Sequence, residues 1–571
     1  MLLGPAPAPE AARGVSFDDI SGSSGISRFH HVSGQASKPY LPETAGSGVA
    51  LFDYDNDGWL DIYLINGLSQ DAHSGKTSPE TAKLFHNNHN STFSDVTAKA
   101  GVENHRWGMG VCVGDFDNDG WSDLYVTNLG PNRLYKNNTD GTFSDVAVRA
   151  GVSVNTWSTR CAFGDYDGDA RLDLYVAGYV DFDWNNLPPP GPSELHSGRP
   201  DSGSREGSVR FSAAAATGAA YDPGNPHCSY LGTHVACGPL GLKGAPDFLF
   251  RNRGDDGFED VTAKAGVVDL KGRYGFGVAW VDVDDDRRLD LVVANDSNPN
   301  FLYHNKGDGT FREIGLLSGL GTNADGRAQA YMGVAVGDYD HDGKNDFFFT
   351  TFSNDSYTLF RNLGRLDFSE VTQQAALSEV TIPFLGWGTE FFDYDNDGWL
   401  DILAVNGHVY PQADPVAWNS SYMQRTLLFR NLRSGRFADV KGSLGTGFTK
   451  PKASRGAAVG DLFNDGDLDV VINNIDSRPT LLKNVGGSNV GHWLTLRLIG
   501  DPAKRTPRDG VGSTVFCSAG GFRQRGAVAS GRGYLSQSDQ RIHFGLGTSN
   551  RIEKLEVLGP TVTEKASFCP Q

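Results

Sequence analysis

Several features that mark common protein classes are scarce in this sequence. Six cysteines in 571 residues are too few for a scaffold built on disulfides. No window approaches the run of about 18 apolar residues that a membrane-crossing helix needs, which argues against a helical span. Basic residues are outnumbered, 50 Lys and Arg against 69 Asp and Glu, for a net charge of −19. Residues 490–571 hold 11 basic and 6 acidic residues, a balance of +5; the preceding 489 hold 39 and 63, a balance of −24. A body this acidic repels phosphate backbones, so nucleic acid is excluded as its partner. Also missing are a nucleophile elbow, a His-Glu-x-x-His pair and a phosphate-cradling Gly loop. Catalytic groups gathered from distant positions leave no local pattern, so an enzyme stays open as an alternative. The opening Met1-Leu2-Leu3-Gly4-Pro5-Ala6-Pro7 lacks the apolar core of a secretory signal.

What is present is turn chemistry and strand formers. Glycine occurs 72 times, aromatics make up 11% and hydrophobic residues 39%. That composition predicts many short strands around a shared core and almost no helix.

One nine-residue pattern, Asp-x-Asp-x-Asp-Gly-x-x-Asp, organises the chain. Loop 1 carries Asp53, Asp55, Asp57 and Asp61, and loop 2 Asp115, Asp117, Asp119 and Asp123. Loop 3 carries Asp165, Asp167, Asp169 and Asp173, and loop 4 Asp282, Asp284, Asp286 and Asp290. Loop 5 has Asp338, Asp340, Asp342 and Asp346; loop 6 has Asp393, Asp395, Asp397 and Asp401. Loop 7 is degenerate, with Asp461, Asp465 and Asp469 around Phe463, and Ala170 and Arg287 replace the turn glycine in loops 3 and 4.

Apolar runs such as Gly110-Val-Cys-Val-Gly114 and Leu124-Tyr-Val-Thr127 flank each loop, which makes it a hairpin connection. A third run ending in Asn follows every loop, from Leu84-Phe-His-Asn87 to Leu481-Leu-Lys-Asn484. A fourth, Phe-x-Asp/Glu-Val/Ile, follows the first six loops and not the seventh. Its missing copy is Phe17-Asp18-Asp19-Ile20, ahead of loop 1. Four strands per unit, seven units and one displaced strand predict an all-β, seven-bladed β-propeller over residues 15–485, closed by its N-terminal strand. Residues 1–14 are expected to be disordered, 181–245 to form an insertion within blade three, and 490–571 a small all-β domain.

Asp and Gly commonly do no more than mark turns, the plain reading of any one loop. Seven copies favour metal sites, because alternate carboxylates, a sharp turn and a closing carboxylate suit a hard cation with about 6 to 8 oxygen ligands. The cofactor expected is Ca2+, up to one per loop, with loop 7 weakest. Crowded carboxylates repel, so metal and fold should be coupled. Either the chain is intracellular or a targeting segment has been removed, and calcium sites favour the extracytoplasmic location.

Trp107, Trp157, Tyr274, Tyr331 and Trp387 precede their loops by six to eight residues. They either pack between blades or form a ligand rim at one channel mouth. Asn66, Asn128, Asn295, Asn406 and Asn474 follow their loops by five residues and suit strand-ending turns. A disulfide between Cys228 and Cys237 is favoured over a zinc site of His227, Cys228, His234 and Cys237, whose spacing is unlike a zinc knuckle. Cys112 and Cys161 are read as buried core thiols.

The Asp loops with their Phe-x-Asp-Val strands resemble FG-GAP (VCBS-type) repeats, the calcium-bearing blades also found in integrin α-chains. Asn489-Val-Gly-His-Trp-Leu-Thr-Leu-Arg-Leu498, Ser530-Gly-Arg-Gly-Tyr-Leu-Ser-Gln-Ser538 and His543-Phe-Gly-Leu-Gly547 resemble the ASPIC/UnbV domain. Together they resemble the cartilage acidic protein family and its bacterial relatives. That resemblance implies a secreted or surface binding and adhesion module, its protein or glycan partner unknown, without agreed enzymatic activity. The alternative it leaves is an enzyme at the channel mouth in secondary metabolism. Leu558-Gly-Pro560 departs from the family's usual ending.

Overall fold

The computed structural model describes residues 14–184, 228–414, 419–560 and 565–568. The expected N-terminal disorder and the Pro188–Pro192 and Ala213–Ala216 stretches of the insertion lie outside these residues.

The protein is all-β apart from single-turn helices such as Thr97–Ala100 and Thr262–Ala265. Seven antiparallel four-strand units follow one another. In the first, Val49–Phe52 pairs with Asp61–Leu64, that strand with Lys83–Asn87, and that with Phe93–Asp95. Each Asp loop joins the first strand of its unit to the second. Units two and three merge into one eight-stranded sheet because Asn155–Gly164 extends far enough to pair with Asp123–Pro131. The seventh unit takes its fourth strand from the other end of the chain: Ser16–Asp19 pairs with Thr480–Val485, Phe17 opposite Asn484. The 117-residue spacing from Asp165 of loop 3 to Asp282 of loop 4 contributes no further unit among the described residues.

First and second strands read as continuous apolar runs because both their faces are covered; Val49–Phe52 and Asp61–Leu64 are buried at every position. Their side chains fill hydrophobic clusters between successive units. One joins the last unit to the first, with Leu51, Ile62 and Phe85 against Val471, Leu481 and Phe463.

The C-terminal portion adds two small sheets, His492–Leu496 with Ile542–Gly547, and a four-stranded sheet of Phe522–Ala527, Thr514–Ala519, Ile552–Leu558 and Lys565–Phe568. Among the described residues no helix is long and apolar enough to cross a membrane.

Cys112 and Cys161 are buried as expected, but they are not free thiols. They sit on the first strands of adjacent units and form a disulfide. Alternation along two separate strands could not reveal that they face each other.

Candidate metal centres

Each loop is built by its own backbone. In loop 2, the amides of Asp119 and Gly120 donate to Asp115 Oδ1 and Oδ2 at 2.9 and 2.7 Å. Asp123 accepts from the Phe116 amide at 3.1 Å and the Asn137 amide at 2.7 Å. The amide of Trp121 donates to Asp119 Oδ1 at 2.9 Å. The sharp turn needs positive φ at the sixth position, where Gly120 has φ 92°. Ala170 and Arg287 hold the same turn at φ 71° and 68°, a region side chains disfavour.

The carboxylate at the third position is treated differently in five of the loops; in loop 5 Asp340 Oδ1 accepts from the Asp342 amide at 3.3 Å, and loop 7 has Phe463 there. Asp117 Oδ1 is buried and accepts no hydrogen bond, and the same atom is orphaned in Asp55, Asp167, Asp284 and Asp395. A buried carboxylate oxygen without a partner is costly, so a lattice of backbone bonds that spares this one atom leaves room for a cation. Oxygens of Asp115, Asp117 and Asp123, of Asp165, Asp167 and Asp173, and of Asp53, Asp55 and Asp57 each lie within 4.8 Å of one another. The donor set is all oxygen and fits a hard divalent ion.

Burial, added to by neighbouring loop carboxylates, raises the proton affinity of these groups. It pushes Asp115, Asp165 and Asp338 up to about 7, and Asp61, Asp282, Asp395 and Asp461 to about 6. Asp123, Asp173, Asp346, Asp393, Asp401 and Asp469 rise well above the carboxylate range for the same reasons.

The charge argument from sequence alone treats a metal as the sole counter-ion, and the structure corrects it. The residue before the Asn of each third strand is basic or histidine, and it points back into its own loop. Lys136 pairs with Asp117, Arg251 Nε stands 2.6 Å from Asp167, and Arg361 Nε 2.7 Å from Asp340. Arg430 reaches Asp395 at 3.1 Å and Lys483 reaches Asp465 at 3.3 Å. Loops 1 and 4 receive His86 and His304 instead. The signal was in the seven Asn-ending runs, which all carry this residue type. Its direction was not, because that depends on strand pairing. In loop 7 the Lys483 ammonium also sits 4.0 Å over the ring of Phe463, which stands where the other loops have a carboxylate.

The Asn of each third strand does more than end it. Asn137 donates from its side chain to the carbonyl of Tyr54 in loop 1, at 2.8 Å. Asn252, Asn305, Asn362, Asn431 and Asn484 repeat this toward Phe116, Tyr166, Val283, Tyr339 and Tyr394, each in the preceding unit's loop.

Of the five aromatics, Trp107, Trp157, Tyr274 and Trp387 join one buried cluster, while Tyr331 packs in another between units four and five. That first cluster is filled by the chain itself: Val235, Ala236, Cys237 and Tyr230 from the insertion, and Tyr534 and Leu535 from the C-terminal portion. Tyr534 is fully buried, its ring 4.9 Å from Trp387 and its hydroxyl donating to Ala45 O at 2.8 Å. The backbone around it runs among first strands. The Val111 amide donates to Leu535 O at 3.0 Å, Gln537 bonds both ways with Val49 and Leu51, and Gly533 both ways with Val334. Ser538 Oγ donates to Glu390 at 2.8 Å and accepts from the Val459 amide at 3.1 Å. Buried Arg160 donates to the carbonyls of Val111, Arg532 and Ser536. Arg160 and Glu390 were not singled out from sequence, since nothing local distinguishes an inward-facing strand residue from a core one; Ser530–Ser538 was singled out for its resemblance, but its place among the first strands was not.

The fourth residue of six loops meets the C-terminal portion. Asn56 accepts from Arg497, Asn118 from the Arg508 amide, and Asn464 from Arg541. Asp285 pairs with Arg525 at 2.6 Å, His341 stacks on Phe522, and Asn396 bonds His543 at 2.7 Å. Three basic side chains of the C-terminal portion, Arg497, Arg525 and Arg541, thus lie against the acidic loops.

Asn66, Asn128, Asn295, Asn406 and Asn474 donate to nearby backbone carbonyls and serve as turn residues. Cys228 and Cys237 form a disulfide across the hairpin of Ser229–Tyr230 and Thr233–His234, so neither is available as a zinc ligand; His227 lies outside the described residues. Buried Ser353 lies 3.1 Å from His408 Nε2, but His408 Nδ1 accepts from the Tyr410 amide. The proton therefore sits on Nε2 and is donated to Ser353, the reverse of a base activating a nucleophile.

Residues 53–126, 115–176, 282–349 and 338–404 match the FG-GAP-like repeat family, and residues 503–566 match ASPIC and UnbV. Cartilage acidic protein 1 of Homo sapiens is 28% identical over 320 residues, 55% of this chain and 45% of that protein. Its Mus musculus counterpart is 28% identical over 324 residues, 55% and 46% of the two chains. The chain thus spans less than half the length of these relatives. Among solved structures, rhamnogalacturonan lyase YesW aligns at a TM-score of 0.36 and 11% identity, covering 80% of this chain and 75% of that one, too slight a likeness to bear on function. The chain thus carries FG-GAP-like repeats followed by an ASPIC and UnbV domain and is similar to the cartilage acidic proteins.

Proposed function

We propose that residues 15–485 form a closed seven-bladed propeller whose Asp loops bind calcium, and that residues 490–571 are a second domain docked on those loops. The whole is an extracytoplasmic binding module for a protein or glycan, without catalytic activity. Closure is supported by Ser16–Asp19 completing the seventh unit and by the cluster between the seventh and first. Calcium is supported by the all-oxygen donor sets and the orphaned third-position carboxylates of five loops. The two disulfides fit an oxidising compartment.

The observation that carries the binding reading is the segment Ser530–Asp539. It fills, with Tyr534 and Leu535 fully buried, the interior where a propeller enzyme would hold substrate, and leaves outer surfaces for recognition. Blade-forming loops that calcium stiffens are suited to presenting such a surface. Thermal melting of the chelated chain, with and without added calcium, tests the metal: a melting temperature that calcium leaves unmoved sinks that part. Screening the calcium-loaded chain on glycan and matrix-protein arrays tests the module, which fails if no ligand is retained on either.

A further inference from the structure

Lys38 stands apart from nine other lysines that pair with a carboxylate: its side chain is 1% exposed, theirs between 26% and 82%. A lysine is seldom buried this completely. Its Nζ donates to Asp476, 438 residues further on, and to the carbonyl of Ser33. Asp476 lies in the turn between the second and third strands of the seventh unit, Asp469–Asn474 and Thr480–Val485. Its Oδ1 accepts from the Ser33 amide at 2.9 Å, and the His31 amide donates to Ser477 O at 2.9 Å. The stretch ahead of the first unit is thereby fixed against that turn, with amine and carboxyl held face to face.

A second acid completes the set. Glu43 is fully buried, its carboxylate held by the amides of Gln35 and Tyr40, each at 3.0 Å. Burial pushes it up to about 7 against the pull of those amides and of Lys38, and Asp476 adds to the rise. A carboxyl so placed both takes up and releases protons near neutral pH. Burial also holds the Lys38 amine below the ordinary lysine range although Asp476 opposes it, and buried Arg455 acts in the same direction as burial. A site poor in water disfavours the charged pair, and rigid apposition of an amine with a carboxyl removes the entropic barrier to their condensation.

We infer that Lys38 and Asp476 are joined by a side-chain amide, with Glu43 as the proton carrier, making a covalent clasp between the stretch ahead of the first unit and the seventh unit. The proton of the Lys38–Asp476 hydrogen bond moves to Oδ2, leaving a neutral amine and a neutral acid. The Nζ lone pair then attacks Asp476 Cγ, and the negative charge gathers on Oδ1, where the Ser33 amide already donates. Glu43 accepts a proton from the attacking nitrogen and delivers it to Oδ2. The Cγ–Oδ2 bond breaks, the carbonyl re-forms at Oδ1, and one water leaves. With its side chain 36% exposed, Asp476 gives that water a way out. No oxidant or cofactor takes part, and a neutral amide replaces two charges.

The test is the intact mass of the full chain after folding, measured denatured and with its disulfides reduced, together with a peptide map. The unaltered chain is expected to be lighter than its sequence by one water and to yield a branched peptide joining Lys38 to Asp476. Lys38→Arg and Asp476→Ala should each keep the full mass. Folded Glu43→Gln should keep it too, with Lys38 open to amine-reactive labelling once denatured, whereas a merely structural Glu43 would leave the amide formed. Full mass in the unaltered folded chain, a water lost anywhere other than between these two residues, or a Lys38→Arg chain that still lacks the water overturns the proposal. Where a variant fails to fold, the peptide map of the unaltered chain decides by itself. The mass is read without calcium, so this inference and the metal reading fail independently.

Discussion

The side-chain amide of Asn87 donates to the carbonyl of Leu462 at 2.8 Å, although 375 residues separate them. It is the same bond that Asn137 makes to Tyr54 one unit along, here made between the first unit and the last. Asn87 is fully buried, and its amide also reaches Leu60 O at 3.0 Å. Replacing it with alanine removes three bonds, the third from the His89 amide to Asn87 Oδ1 at 3.0 Å, and leaves buried carbonyls unpaired, an expected cost of about 2 to 3 kcal/mol. Chemical denaturation of Asn87→Ala beside Asn305→Ala checks this. A first-to-last contact worth much less than the internal one would mean that the ends are not held together.

Ala170 and Arg287 hold positive φ where four of the other loops use glycine with φ between 86° and 92° and loop 7 has Gly466 at 83°. Relieving that strain should outweigh the extra flexibility glycine gives the unfolded chain. Ala170→Gly is expected to stabilise the protein by about 1 kcal/mol. The increase should appear as a higher denaturation midpoint with an unchanged slope.

The loop carboxylates give the metal-free chain an inverted pH response. Burial holds Asp115, Asp165 and Asp338 near 7 in the folded state, above their unfolded values near 4. Folded protein then binds more protons than unfolded protein between about pH 4 and 7, so stability falls as pH rises through that window. The chelated chain should melt lower at pH 7.5 than at pH 5.5, and added calcium should narrow the gap by neutralising the same charges. Melting curves that rise with pH in the absence of metal would contradict this.

Tyr534 anchors the C-terminal segment against Phe276, 5.3 Å between ring centroids, and Trp387, at 4.9 Å. Tyr534→Ala leaves a cavity among fully buried rings and an unpaired Ala45 carbonyl, and should cost about 3 to 5 kcal/mol. Hydrogen exchange distinguishes the mechanism. Protection should fall first at the Val49, Val111 and Val334 backbone, which bonds the segment, and only later in the outer strands.

How much was legible without coordinates follows from how each feature is encoded. The seven Asp loops, the four-strand units and the displaced strand at Phe17 were readable because each is written within a few consecutive residues, repeated. The direction of His86 or Lys136, the pairing of Cys112 with Cys161 and the covering of Trp387 by Tyr534 were not. Each depends on which strand lies beside which.

The local pattern by itself determined what each unit is: strand, carboxylate turn, strand ending in asparagine. Backbone geometry at a turn and alternation along a strand are set by neighbours in the chain. Only the tertiary structure decided that a basic side chain answers each loop, and that Ser530–Asp539 lies among the first strands of the units. Those contacts join residues hundreds of positions apart, and what selects them is the need to bury apolar surface and satisfy every buried polar group at once, a condition on the whole chain.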